Sequence, residues 1–314
     1  MSDKHYLALS GGVGGAKLAH GLAQVLAPEQ LTIAVNVGDD FEHLGLPIWP
    51  DLDTVLYTLA GIANPDQGWG RADESWQVLD ELKQLAGPSW FLLGDKDIAL
   101  HLARRHLLDQ GLDASTVAQS LAKRLGIHQR VLPVSNDPLR TLVETDEGWL
   151  EFQRYFVGRR AEPTLQSLQF KGAQQAQLAP GVREALTHPG LAGVILCPSN
   201  PYLSIMPMLA VAELKERLQT LTVPVVAVSP IVAGMALKGP AAKIMAELGV
   251  EPKANTIAEL YHDFVDLTLV DNADAELVAG DRRCLATATV MKTVDDRKAL
   301  ARQCLAEIER LQQC

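Results

Sequence analysis

Apolar residues recur along this chain in short runs that end in turn residues and open into helical spacing. His5 to Leu9 is one such run and ends in glycines; Ala16 to Leu26 then places apolar residues at helical intervals, and Leu31 to Val37 reads as a second strand. Together they predict a βαβ unit. Similar runs at Trp90 to Leu93, Val194 to Cys197 and Val223 to Val228 each lead into helix-compatible sequence. Such alternation predicts an α/β fold with a doubly wound, mainly parallel, Rossmann-like sheet.

Between the strand-like runs, Asp53 to Ala60, Glu74 to Ala86, Asp97 to Asp109 and Ala114 to Leu125 read as amphipathic helices, more than one crossover needs. Thr141 to Val157 alternates apolar and polar residues around Glu147-Gly148, which predicts a hairpin. A last helix is expected from about Val294 to Leu311. No linker rich in Pro, Gly or Ser divides the chain, so the expectation is a single α/β domain over 1–314. Its core comes from about 1–65 and 190–314, with an inserted helical and hairpin region at about 66–189, mostly helical.

Composition narrows the class. A formal net charge of -10 argues against a protein held on nucleic acid by a basic face. Cys197, Cys284, Cys304 and Cys314 form no C-x-x-C pair, which suits a reducing cytoplasm. No run of 18 apolar residues occurs, so membrane spanning has no support.

The chemistry-bearing residues fall in the turns after the strands. Ser10-Gly11-Gly12-Val13-Gly14-Gly15-Ala16-Lys17 lies between a strand and a helix, where glycines let backbone N–H groups approach an anion and the helix N-terminus adds partial positive charge. Lys17 adds a full charge. The loop fits neither the Walker pattern nor G-x-G-x-x-G, and a tight turn without a ligand is the bland alternative. Asn36-Val37-Gly38-Asp39-Asp40 ends the second strand, where an acid suits a ribose or a divalent cation. In Pro50-Asp51-Leu52-Asp53-Thr54-Val55, Asp53 or Thr54 is expected to cap the following helix. Capping explains one carboxylate but not four aspartates on two adjacent turns; Mg²⁺ bridging phosphate oxygens would offset their repulsion.

Phe41, Trp49, Tyr57, Trp69 and Trp76 gather around these turns and could stack on a flat ring or simply pack. Gly94-Asp95-Lys96-Asp97 opens a helix with a lysine that gains nothing from the dipole, which suggests a ligand role for Lys96. His101, Arg104, Arg105 and His106 lack H-E-x-x-H spacing and read as surface or packing residues. Farther on, Pro198-Ser199-Asn200-Pro201, Ser229-Pro230 and Lys238-Gly239-Pro240 follow strands or start a helix, and Lys238 precedes a proline expected at the first helical position. No Ser-His-Asp order, nucleophile elbow or reactive cysteine stands out, which leaves positioning and charge stabilisation as the mechanism.

These blocks resemble the 2-phospho-L-lactate transferases of coenzyme F-420 biosynthesis. The matching residues are Ser10 to Lys17, Asn36 to Asp40, Pro50 to Tyr57, Gly68-Trp69-Gly70, Leu93 to Asp97, Phe152-Gln153, Pro198 to Pro201 and Ser229-Pro230-Ile231. The resemblance implies Mg²⁺-assisted transfer of a phospho-carboxylate unit (2-phospholactyl, phosphoenolpyruvyl or phosphoglyceryl) from a guanosine diphosphate conjugate to the ribityl hydroxyl of the deazaflavin Fo, with release of GMP. It implies Asp53 and Lys96 at Fo, and the glycine loop (Gly11, Gly12, Gly14, Gly15, Lys17) with Ser199 and Asn200 at the guanosine diphosphate. Asn36, Ser229 and Lys238 join the substrate site. Asp39, Asp40 and Asp51 serve metal or proton transfer, with Asp51, Asp53 and Lys96 as the catalytic set. Small-molecule partners and a cytoplasmic setting follow, and a homodimer is compatible. Family members often carry Arg at the position of Lys96, and the archaeal first loop carries Thr and Pro where this chain has Val13 and Ala16. Two other readings stand beside this one: a non-catalytic nucleotide-sugar-binding regulator of the same fold, and a nicotinamide-dependent dehydrogenase resting on the βαβ unit and Asp39.

Overall fold

A computed structural model describes residues 4–236 and 240–313. Seven parallel strands form the central sheet: β1 (His5–Ser10), β2 (Leu31–Val35), β3 (Arg130–Pro133), β4 (Leu191–Leu196), β5 (Val225–Val228), β6 (Leu267–Asp271) and β7 (Cys284–Thr287), in spatial order β3-β2-β1-β4-β5-β6-β7. Every residue of β1 is buried. That is why it reads as an unbroken apolar run: helices cover both faces of a parallel sheet. Along β1, Leu7 and Leu9 join one core while Tyr6 and Ala8 join the other, following the period of two.

The second core lies under α1 (Gly12–Val25), α2 (Pro50–Leu59), α3 (Asp95–Asp109) and the C-terminal helix α4 (Val294–Leu311). A Cβ on Gly21 would run into the Arg297 carbonyl, so α1 and α4 touch backbone to backbone there. Strand order reverses between β1 and β4, which opens a crevice at their C-terminal ends.

Three expectations change. Trp90 to Leu93 forms no strand; Trp90, Phe91 and Leu93 belong to a cluster with Phe41, whose ring meets that of Phe91 edge-on at 4.9 Å. The stretch 66–189 contributes more than helices and a hairpin: it supplies β3, the sheet's outer strand, and a three-stranded antiparallel sheet of Arg140–Thr145, Gly148–Glu151 and Leu165–Lys171. The first two of these strands are the expected hairpin around Glu147-Gly148. Asp53 and Thr54 do not cap α2, because the helix starts earlier, with Pro50 at its first position and Trp49 as N-cap.

Candidate active site

The C-terminal ends of β1, β2 and β4 converge at the crevice, and the site is assembled from the loops that leave them. Gly12 opens α1 with φ of 62°, a left-handed angle that glycine adopts without strain. Close approach also demands glycine next to it: a Cβ on Gly11 would lie 2.5 Å from both Asp51 Oδ2 and Ser204 Cβ. On Gly14 it would strike the Pro198 carbonyl, and on Gly15 the Ser199 hydroxyl. The Gly11 N–H donates to Ser199 Oγ at 3.0 Å, and the Gly12 N–H donates to Asp51 Oδ1 at 2.7 Å. A carboxylate thus occupies the anion-favouring end of α1.

Asn36 ties these pieces together. Its buried Nδ2 lies 2.9 Å from Asp51 Oδ2, 3.2 Å from Asp39 Oδ1 and 3.1 Å from the Leu203 carbonyl, while its Oδ1 accepts from the Gly38 N–H at 2.8 Å. Ser204 Oγ donates to Asp51 Oδ2 at 3.1 Å. Burial raises the carboxyls of Asp39 and Asp51 above the usual range; the neighbouring charges of Asp51 and Asp40 push Asp39 further, whereas hydrogen bonds from Asn36, Gly12 and Ser204 oppose the rise at Asp51.

Asp40 departs from the expected trio. Its N–H closes a turn onto the Val37 carbonyl at 3.2 Å, and its carboxyl feels the positive charges of Arg140 and Arg104 rather than sharing Asn36. Burial dominates and raises it well above the ordinary value, and its Oδ1 has no hydrogen-bond partner among the described residues. No group of three or more His, Cys, Asp or Glu side chains among the described residues is arranged to hold a metal ion by itself. Hard carboxylate oxygens, mutually repelling and partly unpartnered, nevertheless suit a cation that takes the rest of its ligands from a substrate.

Beside this cluster lies a small cleft of about 80 Å³ that opens to solvent. Asp53, Thr54 and Tyr57 of α2 form one wall, Asp97 and His101 of α3 another, and Trp69, Gly70, Phe91 and Leu93 complete it. Asp53 is clamped: one carboxylate oxygen pairs with the guanidinium of Arg104, while Oδ2 is buried without a hydrogen-bond partner, 3.7 Å from His101 Nδ1. Burial raises the Asp53 carboxyl and Arg104 opposes the rise. Arg104 is fully buried; it donates to the Pro47 carbonyl at 2.9 Å, contacts His101 Nδ1 at 3.0 Å and lies 4.3 Å over the Trp49 ring. Burial and Arg104 hold His101 neutral by lowering its pKa well below the ordinary value. Nδ1 therefore accepts from Arg104, and the proton resides on Nε2. Asp97 is pushed up to about 6, mainly by burial, with Asp53 and Glu74 adding to the rise.

The other expected residues are placed as follows. Lys96 turns its amine to the Ala72 carbonyl at 3.3 Å, beside rather than within the cleft lining. Lys17 donates to the Met291 carbonyl at 3.1 Å. Asn200 Oδ1 accepts from the N–H groups of Tyr202 and Leu203, capping the turn Pro201–Ile205. Ser229 is buried and closes a local turn onto Ile231. Lys238 lies outside the described residues, and Pro240 precedes the helix Ala241–Glu247 instead of opening it.

Arg104 and His101 were set aside by sequence reasoning, yet both stand at the site. The readable signal was their helical stripe: Leu100, His101, Arg104 and Leu107 share one buried face of α3, and an arginine on an apolar stripe needs a buried partner. Glu74 has no such signal. Its carboxylate accepts from the Lys96 and Asp97 N–H groups at 2.9 and 3.0 Å and so caps α3 from a distant loop.

Comparison with known proteins bears on the chain as a whole. The family model described as 2-phospho-L-lactate transferase CofD matches residues 7–309. A phosphoenolpyruvate transferase of Streptomyces griseus is 43% identical over 308 residues, covering 95% of this chain and 96% of its own. A 2-phospho-L-lactate transferase of Methanosarcina mazei is 35% identical over 296 residues, with 93% and 96% covered. Among solved structures, a UPF0052-family protein of Bacillus halodurans shares the fold with a TM-score of 0.64 at 17% identity, over 97% of this chain and 99% of that one. The chain belongs to the 2-phospho-L-lactate transferase (CofD) family.

Proposed function

We propose that this protein transfers a phospho-carboxylate unit from a guanosine diphosphate conjugate to the ribityl hydroxyl of the deazaflavin Fo, in coenzyme F-420 biosynthesis. The acceptor oxygen forms a bond to the phosphorus that carries the carboxylate unit, and the anhydride P–O bond breaks. GMP leaves with the electron pair. The hydroxyl proton passes to Asp53.

The single observation that carries this assignment is Asp53 in the wall of an aromatic cleft, with its Oδ2 buried and lacking a hydrogen-bond partner. Tyr57, Trp69 and Phe91 supply flat faces for a tricyclic ring, and a buried acceptor oxygen asks for a donor such as a hydroxyl. Both oxygens of Asp51 are already held by Gly12, Asn36 and Ser204, which makes it the weaker base. Asp40, whose Oδ1 has no hydrogen-bond partner among the described residues, and Asp39 instead suit Mg²⁺, with Asp51 adjacent; bound there, the ion would neutralise charge on the phosphorus oxygens. Among the relatives, the phosphoenolpyruvate name of the Streptomyces griseus protein and the phospholactate name of the Methanosarcina mazei protein favour those two donors.

Ligand-dependent melting tests the reading. A ligand that binds only the folded state adds roughly 2.7 kcal/mol of stability at one hundred times its Kd. Fo and GDP should each raise the melting temperature, and NAD should leave it unchanged. Stabilisation by NAD alone would return the dehydrogenase reading; stabilisation by GDP without Fo would favour the nucleotide-binding regulator.

A further inference from the structure

We infer that Arg104 is a positioning residue for the transfer, acting through Asp53. The inference rests on the proposed role of Asp53 at the acceptor hydroxyl. The guanidinium is fully buried and fixed from three sides: the Pro47 carbonyl of the Phe41–Ile48 hairpin, Asp53 of α2, and Nδ1 of His101 one turn back on its own helix. The Trp49 ring forms its floor at 4.3 Å. The planar fork reaches all these acceptors at once, which a lysine ammonium does not.

Stability alone is a poor reason for such a buried pair. Desolvating two charges offsets most of their attraction, and an apolar pair of the same volume packs as well. What the pair does achieve is orientation. Arg104 engages one oxygen of Asp53 and leaves Oδ2, on the same carboxylate, buried without a hydrogen-bond partner in a residue that lines the cleft. His101 adds no competing proton, because its Nδ1 already accepts from Arg104. The carboxylate is therefore held in one rotamer, with Oδ2 lacking a hydrogen-bond partner and 3.7 Å from His101 Nδ1, in a residue of the cleft wall. Preorganisation of this kind lowers the cost of reaching the reactive geometry.

The test is a double-mutant cycle with Arg104→Met, Arg104→Lys, Asp53→Asn and the Arg104→Met/Asp53→Asn pair, reading kcat, both KM values and the melting temperature. Misplacing a reacting group by about an ångström costs roughly 100-fold in rate, so Arg104→Lys should fold and lose about that much in kcat, with the donor KM unchanged. The double variant should be no slower than Asp53→Asn alone, since residues acting as one unit are non-additive. Wild-type kcat in Arg104→Lys, or single losses that multiply in the pair, would overturn the inference. If Arg104→Met fails to fold, the cycle is closed with Arg104→Lys. Should the wild-type protein release no GMP, the functional reading falls instead. Positioning is then read from a crystal structure of Arg104→Lys, in which an unmoved Asp53 carboxylate would overturn it.

Discussion

Asp97 shows what burial does to a single carboxyl in this cleft. Its ordinary value is 3.8 and its folded value about 6, so between those limits the folded state binds more protons than the unfolded one. Stability attributable to Asp97 therefore falls as pH rises from about 4 to about 6 and stays level above that. A shift of about two units corresponds to roughly 3 kcal/mol. Asp97→Asn should flatten this part of the profile and melt higher than wild type at pH 7.5; a variant with the wild-type slope would show that Asp97 is not the group responsible. Asp39 and Asp40 act with the same sign, so the comparison must be between proteins at each pH rather than along one curve.

Among the elements, α3 illustrates best why part of the site was hidden. Its extent was readable from periodicity, since the expected Asp97–Asp109 differs from Asp95–Asp109 by two residues. Its cap was not, because that comes from Glu74, with a whole helix (Gln77–Gln84) between them in sequence. Side chains that cap or pair across such distances leave no local spacing to read. The same holds for Arg104, whose partner Asp53 lies on a different helix, and for Asn36, whose contacts join three separate turns. By contrast, the glycine loop was legible, because close approach imposes a local residue choice, whereas the start of α2 at Pro50 was expected later, with Asp53 or Thr54 as cap. Glu74→Ala should cost about 1 kcal/mol, as the loss of a helix cap does. Urea unfolding measures this directly, and an unchanged midpoint would contradict the capping role.

For the whole molecule, the doubly wound sheet followed from alternating apolar runs and turns, but three of its strands did not. β3 has only Val131 and Leu132 between Arg130 and Pro133, too short a run to stand out, while Trp90 to Leu93 mimics a strand because it packs in an aromatic cluster. In β6 and β7 the threonines Thr268 and Thr287 interrupt or end the apolar run, and only pairing reveals them. Once the sheet is assembled, β1, β2 and β4 bring Gly12, Asn36 and Ser199 to one edge, and α2 and α3 add Asp51, Asp53 and Arg104. The central claim is that this edge joins a guanosine-linked phospho-carboxylate to a deazaflavin. The most direct measurement is the product mass after incubating the protein with Fo, Mg²⁺ and each of the phospholactyl, phosphoenolpyruvyl and phosphoglyceryl conjugates of guanosine diphosphate. At least one donor should yield Fo heavier by its phospho-carboxylate unit, with equimolar GMP; unchanged Fo and no GMP from all three would contradict the account.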